Sequence, residues 1–172
     1  MSEILLEACC KLPNIRYEEI EREEQDELEV FERGVSIGVF RESVCDIFLK
    51  TYFLLMKYFG QEGGNLVFQL VLGKLSEGEN DPFKAEVAFF GARSLLDGLD
   101  DDQYTRETLD FIGKLISFFL SNGNARSSFI LAKSVILFIN DAAKVLIEFK
   151  QQASAVVEYL FTVFTRHGKL QV

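Results

Sequence analysis

Few side chains in this 172-residue sequence are placed to do acid–base or nucleophilic chemistry. The single histidine, His167, stands beside Gly168 close to the last residue, where a solvated end of the chain is a commoner environment than a catalytic site. Two Gly-Lys pairs, at residues 73–74 and 113–114, lack the upstream glycine and the Ser or Thr of a phosphate-binding loop. The sequence therefore predicts no enzyme activity, no catalytic residue and no cofactor.

The three cysteines, Cys9, Cys10 and Cys45, form no CxxC pair and leave an odd number. This pattern indicates neither a disulfide framework nor a four-ligand zinc site, so we expect buried, reduced thiols and no bound metal. No cleavable secretory signal follows the acidic start of the sequence, and no apolar run reaches the roughly 18 residues that cross a bilayer. We expect a chain of the cytoplasm and nucleus that does not insert into membranes.

Acidic side chains, by contrast, are abundant and grouped. The 27 acidic residues outnumber the 18 basic ones and give a formal charge of −9, which disfavours direct binding to nucleic acid and favours a basic protein partner. Such runs are usually solvated, and contact with a basic partner is the alternative for both of them. The candidate partner-binding residues are, in the first run, Glu18, Glu19, Glu21, Glu23, Glu24, Asp26, Glu27 and Glu29 and, in the second run, Asp97, Asp100, Asp101 and Asp102.

Apolar periodicity predicts the helices that must carry these side chains. Three helical hairpins fit residues 38–76, 81–121 and 124–167, and their first helices begin 43 residues apart. That step lies within the roughly 40–47-residue period of HEAT and armadillo arrays, in which each hairpin buries its apolar face against its neighbours. We therefore predict an all-α fold, an α-solenoid of three HEAT-like hairpins in residues 38–172, preceded by an N-terminal helix and an acidic loop in residues 1–37.

Glycine, proline and capping residues set the predicted boundaries of the helices. Residues 60–64, with three glycines, are expected to form the first turn, and residues 66–75 the returning helix. Asp81 and Pro82 combine an N-cap with a proline at the first helical position, which indicates a helix start. The turn of the third hairpin has two candidate positions, residues 140–141 and residues 150–152, and the second is favoured.

Phenylalanine is the main core residue expected, and a ligand cavity is the alternative for its clusters. Asp46 interrupts an apolar helix, and we expect it to pair with Arg41, Lys50 or a residue of the neighbouring hairpin. The last helix is apolar nearly all round, so we expect it to receive another hairpin or to associate with a second copy of the chain. The clusters assigned to the core are Phe48, Phe53 and Phe59, then Phe89 and Phe90, then Phe118 and Phe119.

Two segments carry helix motifs that recur in a known family. Residues 40–46 read Phe-Arg-Glu-Ser-Val-Cys-Asp, and residues 81–90 read Asp-Pro-Phe-Lys-Ala-Glu-Val-Ala-Phe-Phe. They resemble the Phe-Arg-x-x-Val-x-Asp and Trp-x-x-x-Glu-Ala-x-Leu-Phe helices of the importin-β (karyopherin) superfamily, most of all those of its transportin-SR class of nuclear import receptors. Pro82 stands at the family's Trp and Val87 at its usual Ala. The similarity covers most of the chain.

That resemblance implies a segment, or a small relative, of a nuclear transport receptor, whose partners are basic cargo and the small GTPase Ran. No helix carries the run of arginines with which the class binds phosphorylated Arg-Ser tails, so this segment alone is expected to lack full cargo binding. The alternative function is that of a free-standing helical adaptor or regulatory subunit that binds an unrelated basic protein.

Overall fold

The described part of the chain consists of helices and their connections. A computed structural model describes residues 37–100 and 103–167, together with Ile4, and these ranges contain seven α-helices and no strand. The predicted all-α class of packed helices is therefore confirmed for this part of the chain. The predicted N-terminal helix and acidic loop lie, apart from Ile4 and Ile37, outside the described residues.

The helices pack in two rows. α1, α3 and α6 lie side by side in the first row, and α2, α4 and α7 form the second row. α1 and α6 flank α3, so that α1 and α6 lie at opposite ends of the first row. In chain order the helices are α1 (Ile37–Phe59), α2 (Gln61–Glu77), α3 (Pro82–Asp97), α4 (Arg106–Ser121), α5 (Gly123–Ser127), α6 (Phe129–Asp141), a 3-10 helix (Ala143–Phe149) and α7 (Lys150–His167).

Aromatic rings fill much of the space between the helices. Phe89 of α3 is fully buried, and its ring centre lies 5.3 Å from that of Phe138 on α6 and 6.4 Å from that of Phe119 on α4. In the second row, Phe68 of α2 stacks on Phe111 of α4 with 4.5 Å between the ring centres. Both rows therefore meet their neighbours through large apolar side chains, as a stack of hairpins requires.

Not every predicted core phenylalanine is buried. α1 directs Val44, Phe48 and Tyr52, which are spaced four residues apart, into the core. Phe53 falls off that line, and Phe59 is the last residue of α1; they are 37 % and 64 % exposed, so their assignment to the core was wrong. The helix period explains the exposure of Phe53, and the position of Phe59 at the end of α1 explains the exposure of Phe59.

Gly60 forms the first turn in a left-handed conformation, with φ of 59°. α2 begins at the next residue, so the predicted turn over residues 60–64 is wrong beyond its first position. The other two glycines serve a close approach of helices instead: a Cβ on Gly63 would collide with the carbonyl oxygen of Leu55, and one on Gly64 with the sulfur of Met56.

α3 begins as its capping residues predict. The Asp81 carboxylate accepts hydrogen bonds from the backbone N–H groups of Phe83 (3.0 Å) and Lys84 (3.4 Å), and Pro82 occupies the first helical turn. These bonds satisfy N–H groups that have no partner within the helix. The local sequence therefore defines the residue at which α3 begins.

The third hairpin is less regular than expected. Ser128 divides its first part into α5 and α6, and its side chain caps the second of these helices. α6 ends at Asp141, and the buried carbonyl of Ala142 then accepts hydrogen bonds from two later N–H groups (3.0 and 3.1 Å), which tightens the chain into the 3-10 helix. The favoured break at residues 150–152 was wrong, because these residues begin α7. The alternative, residues 140–141, marks the end of α6.

Candidate protein-binding surfaces

A buried carboxylate connects all three helices of the first row. Arg41 of α1 donates two hydrogen bonds to Glu86 of α3, each 2.7 Å long, and Ser134 of α6 donates a third of 3.0 Å. The Glu86 side chain is only 7 % exposed, and the Arg41 guanidinium also lies 4.8 Å from the centre of the Phe90 ring. A buried carboxylate with three donors is fully engaged in structure, so this network fixes how the three helices lie against one another.

A second set of polar contacts runs beside the first. Arg93 of α3 donates a 2.7 Å hydrogen bond to Asp141 at the end of α6, and the Cys45 sulfur lies 2.8 Å from the Ser94 hydroxyl. Burial raises the pKa of the Cys45 thiol, and the hydrogen bond to Ser94 offsets this only in part. A thiol of this kind stays protonated and is a poor nucleophile.

Asp46 plays no part in these contacts. It pairs with Lys50 one turn later on α1, at 3.5 Å, and both side chains are more than 70 % exposed. Of the partners considered from the sequence, Lys50 is the one observed, and Arg41 is committed to Glu86. Sequence reasoning had no signal for Glu86, since its partners are 45 and 48 residues away in the chain.

The acidic turn between α3 and α4 is exposed and internally bonded. Asp97 and Asp100 both face solvent. The Asp100 N–H donates to the Gln103 side chain (3.1 Å), and its carbonyl accepts from the Gln103 N–H (2.9 Å). Lys144 also donates to the carbonyl of Leu99 (3.4 Å), which connects the turn to the 3-10 helix. The structure thus places two of the twelve candidate residues at an exposed position; the first acidic run, Asp101 and Asp102 lie outside the described residues.

Two exposed apolar stripes lie on the first and last helices of the described stack. The α1 stripe consists of Ile47, Leu54 and Tyr58, which are 43 %, 55 % and 69 % exposed. The α7 stripe consists of Val157, Phe161 and Phe164, which are 51 %, 69 % and 42 % exposed. Large exposed apolar side chains that share one helix face are typical of surfaces that bind another protein.

The end of α7 is packed against the stack rather than solvated. His167 is half-buried, its Nε2 lies 3.0 Å from the carbonyl oxygen of Arg126, and its ring contacts Phe129 at 5.7 Å. The expectation of a solvated histidine was therefore wrong. Tyr159 donates a 2.7 Å hydrogen bond to the Ala125 carbonyl, and burial raises the pKa of its phenol. Both side chains attach α7 to α5, so the α7 stripe lies on a helix with fixed neighbours.

A shallow groove of about 440 Å³ separates α4 from the start of α7. It is open to solvent and has one carboxylate and one ammonium group, which stand four residues apart on α4. Within residues 37–100 and 103–167 no three His, Cys, Asp or Glu side chains come together in a way that could hold a metal ion. The groove is lined by Leu109, Asp110, Gly113, Lys114, Ser117, Phe149 and Gln152.

The exposed surfaces of this stack are features that could recognise another molecule. None of the helices in the described part of the chain has both the length and the apolar content to span a membrane. Comparisons with protein-family models, with curated proteins and with solved structures found no match to this chain.

Proposed function

We propose that this chain is a protein-binding scaffold of HEAT-like repeats, and that it is a segment or small relative of a nuclear transport receptor of the importin-β superfamily. One observation carries the proposal. Arg41 belongs to the first of the two segments that resemble that family and Glu86 to the second, and the two side chains form a bidentate ion pair between α1 and α3. In a repeat array, equivalent helices of successive hairpins are neighbours. The pair supports assigning the two segments to the first helices of successive repeats.

The spacing of the other polar contacts also supports a repeat. Glu86 and Ser134 are 48 residues apart, and so are Arg93 and Asp141. The Arg41–Glu86 pair spans 45 residues. The 45-residue interval lies within the roughly 40–47-residue period of HEAT and armadillo units, and the 48-residue intervals lie just above it.

The charge of the chain favours basic proteins as its partners, and most of that charge lies outside the stack. Residues 1–36 contain 11 acidic and 4 basic side chains, whereas residues 37–172 contain 16 acidic and 14 basic ones. The helical stack is therefore nearly neutral, and the acidic segment joins it at the start of α1. Basic cargo or a basic face of Ran would be attracted to the acidic segment at moderate ionic strength. The exposed Asp97 and Asp100 add a smaller acidic site on the stack.

The test is recovery of partners from cell lysate by the immobilised chain, with and without GTP-locked Ran. One variant has the eight acids of the first run, between Glu18 and Glu29, replaced by their amides. A control variant carries a similar change in charge at exposed positions on the stack. The control substitutions are the amide replacements of Asp46, Glu62, Glu79, Glu107, Asp110, Glu148 and Glu158.

We expect the unmodified chain and the control to recover Ran or basic nuclear proteins, and the first variant to lose them. Purified GTP-locked Ran, added alone at increasing salt, then measures the direct contact, which should weaken as salt screens it. Equal loss in both variants would contradict a role for the first acidic run in particular. If no form of the chain recovers Ran or a basic nuclear protein, the adaptor function replaces the transport function.

A further inference from the structure

The α7 stripe has the spacing of a helix-pairing face. Val157, Phe161 and Phe164 are four and three residues apart, which places them on one line along the helix. The opposite edge of α7 packs into the stack through Val156, Tyr159 and Val163, all of which are buried. Phe161, at the middle of the stripe, is 69 % exposed. α7 is therefore apolar on two sides, and only one of them is covered by the described helices.

The same chemistry joins the helices of the second row to one another. Phe68 of α2 stacks on Phe111 of α4, and Phe119 of α4 meets Tyr159 of α7 with 4.8 Å between the ring centres. The row thus extends through aromatic contacts from one helix to the next. The α7 stripe presents two further phenylalanines, so a helix with an apolar, aromatic face is the occupant that fits it.

α7 itself has such a face, and its spacing is self-complementary. Val157 and Phe164 lie about 10 Å apart along the axis, with Phe161 between them. An antiparallel copy would place each Val157 against the partner's Phe164 and the two Phe161 rings against each other. A two-fold contact needs such a self-complementary surface. If one residue contacts a second residue on the other copy, the same contact forms again with the two copies exchanged. We propose that two copies of this chain associate tail to tail through their α7 stripes.

The spacing of the two stripes and the charges of α7 favour this arrangement over a head-to-tail one. The exposed charged side chains of α7, Lys150, Glu158 and Arg166, are of mixed sign, so two α7 helices do not repel each other. A head-to-tail contact would instead bring α7 onto the α1 stripe, whose residues are seven and four positions apart and do not match the four and three of the α7 stripe. This association does not rest on the nuclear-transport function.

The test is sedimentation of the whole chain at about 1 to 200 µM, with two matched substitutions. Phe161→Glu changes the centre of the α7 stripe, and Leu54→Glu changes the α1 stripe at a position that is 55 % exposed. Wild type and Leu54→Glu should form dimers. Phe161→Glu should dimerise at least ~100-fold more weakly, because each dimer loses two buried phenylalanines.

Helix content measured by circular dichroism verifies that each variant is folded. If Phe161→Glu does not fold, Val157→Lys, at a position that is 51 % exposed, replaces it with the same expected loss. Open-ended assembly that both substitutions abolish would show a head-to-tail contact and overturn the proposal. A wild-type chain that stays monomeric at the highest concentration would also overturn it, and would assign the stripe to a different protein.

Discussion

Replacing Arg41 with methionine should lower the free energy of unfolding by about 3 kcal/mol, because it leaves a buried carboxylate without its cation. Breaking a buried ion pair costs about 3–5 kcal/mol. The Glu86 side chain is 7 % exposed and receives two 2.7 Å hydrogen bonds from Arg41, so most of that cost applies here. Ser134 still donates its 3.0 Å bond in the variant, which places the expected value at the lower end of the range.

A double-mutant cycle isolates the interaction of the two charged groups. Glu86→Leu alone should cost less, about 2 kcal/mol, because the Arg41 side chain is 25 % exposed and can reach water. The double variant removes both charges and should be no less stable than Arg41→Met alone, which gives a coupling energy of at least about 2 kcal/mol. Asp46 and Lys50 on the same helix provide the control cycle. Their exposed pair should give a coupling below about 0.5 kcal/mol.

Urea unfolding followed by helical circular dichroism measures each variant, and the comparison requires a single transition with an unchanged dependence on urea. A coupling energy for Arg41 and Glu86 as small as that for Asp46 and Lys50 would refute the reasoning. It would mean that the network between α1 and α3 contributes no more than an exposed pair does, and that apolar packing alone sets how the first row is arranged.

Two further predictions concern α2. Gly63→Ala should destabilise the chain by about 2 kcal/mol, because the new Cβ meets the carbonyl oxygen of Leu55. Gly73→Ala should stabilise it by about 0.5–1 kcal/mol, because no atom lies within 4 Å of the new Cβ. Equal effects of the two substitutions in urea unfolding would contradict the close approach of α1 and α2. Hydrogen bonds from Lys84 and Lys74 lower the pKa of Glu77. The stabilisation that these bonds give the folded chain is therefore present at neutral pH and is lost as pH falls through that lowered pKa. Because Glu77 is exposed, wild type should be more stable than Glu77→Gln by less than about 1 kcal/mol at pH ~7. This difference in the free energy of unfolding should vanish near pH ~2. A difference that persists there would contradict the assignment of the stabilisation to the ionised Glu77 carboxylate.

Features of the chain that depend on neighbouring residues were predictable from the sequence. The start of α3 is the clearest case, because Asp81 and Pro82 act on N–H groups two and three residues away. The all-α class was predictable as well, because a helical period in the apolar residues does not depend on which helix later covers them.

Features that depend on distant residues were not predictable. Gly63 and Gly64 have the composition of a turn, and only the approach of α1 shows that they are needed inside a helix. Asp46 is an acidic residue in an apolar helix, and the structure places it at the surface. Glu86, one of 27 acids in the sequence, is the one that is buried among the described residues. For Gly63, Gly64 and Glu86 the deciding contact lies across a helix interface, which the sequence pattern of one helix does not contain.

The acidic segment and the α7 stripe belong to different ends of the chain, and this has a consequence for binding. The acidic residues 1–36 join at α1, whereas the α7 stripe lies at the far end of the second row. A tail-to-tail dimer would thus carry two acidic segments, one joined to α1 of each copy. A partner with two basic sites could then engage both copies, and its second contact would form at the high effective concentration that the dimer imposes. Phe161→Glu would remove this gain and leave each single contact intact, so the affinity for a doubly basic partner would fall while that for a single basic site stayed the same.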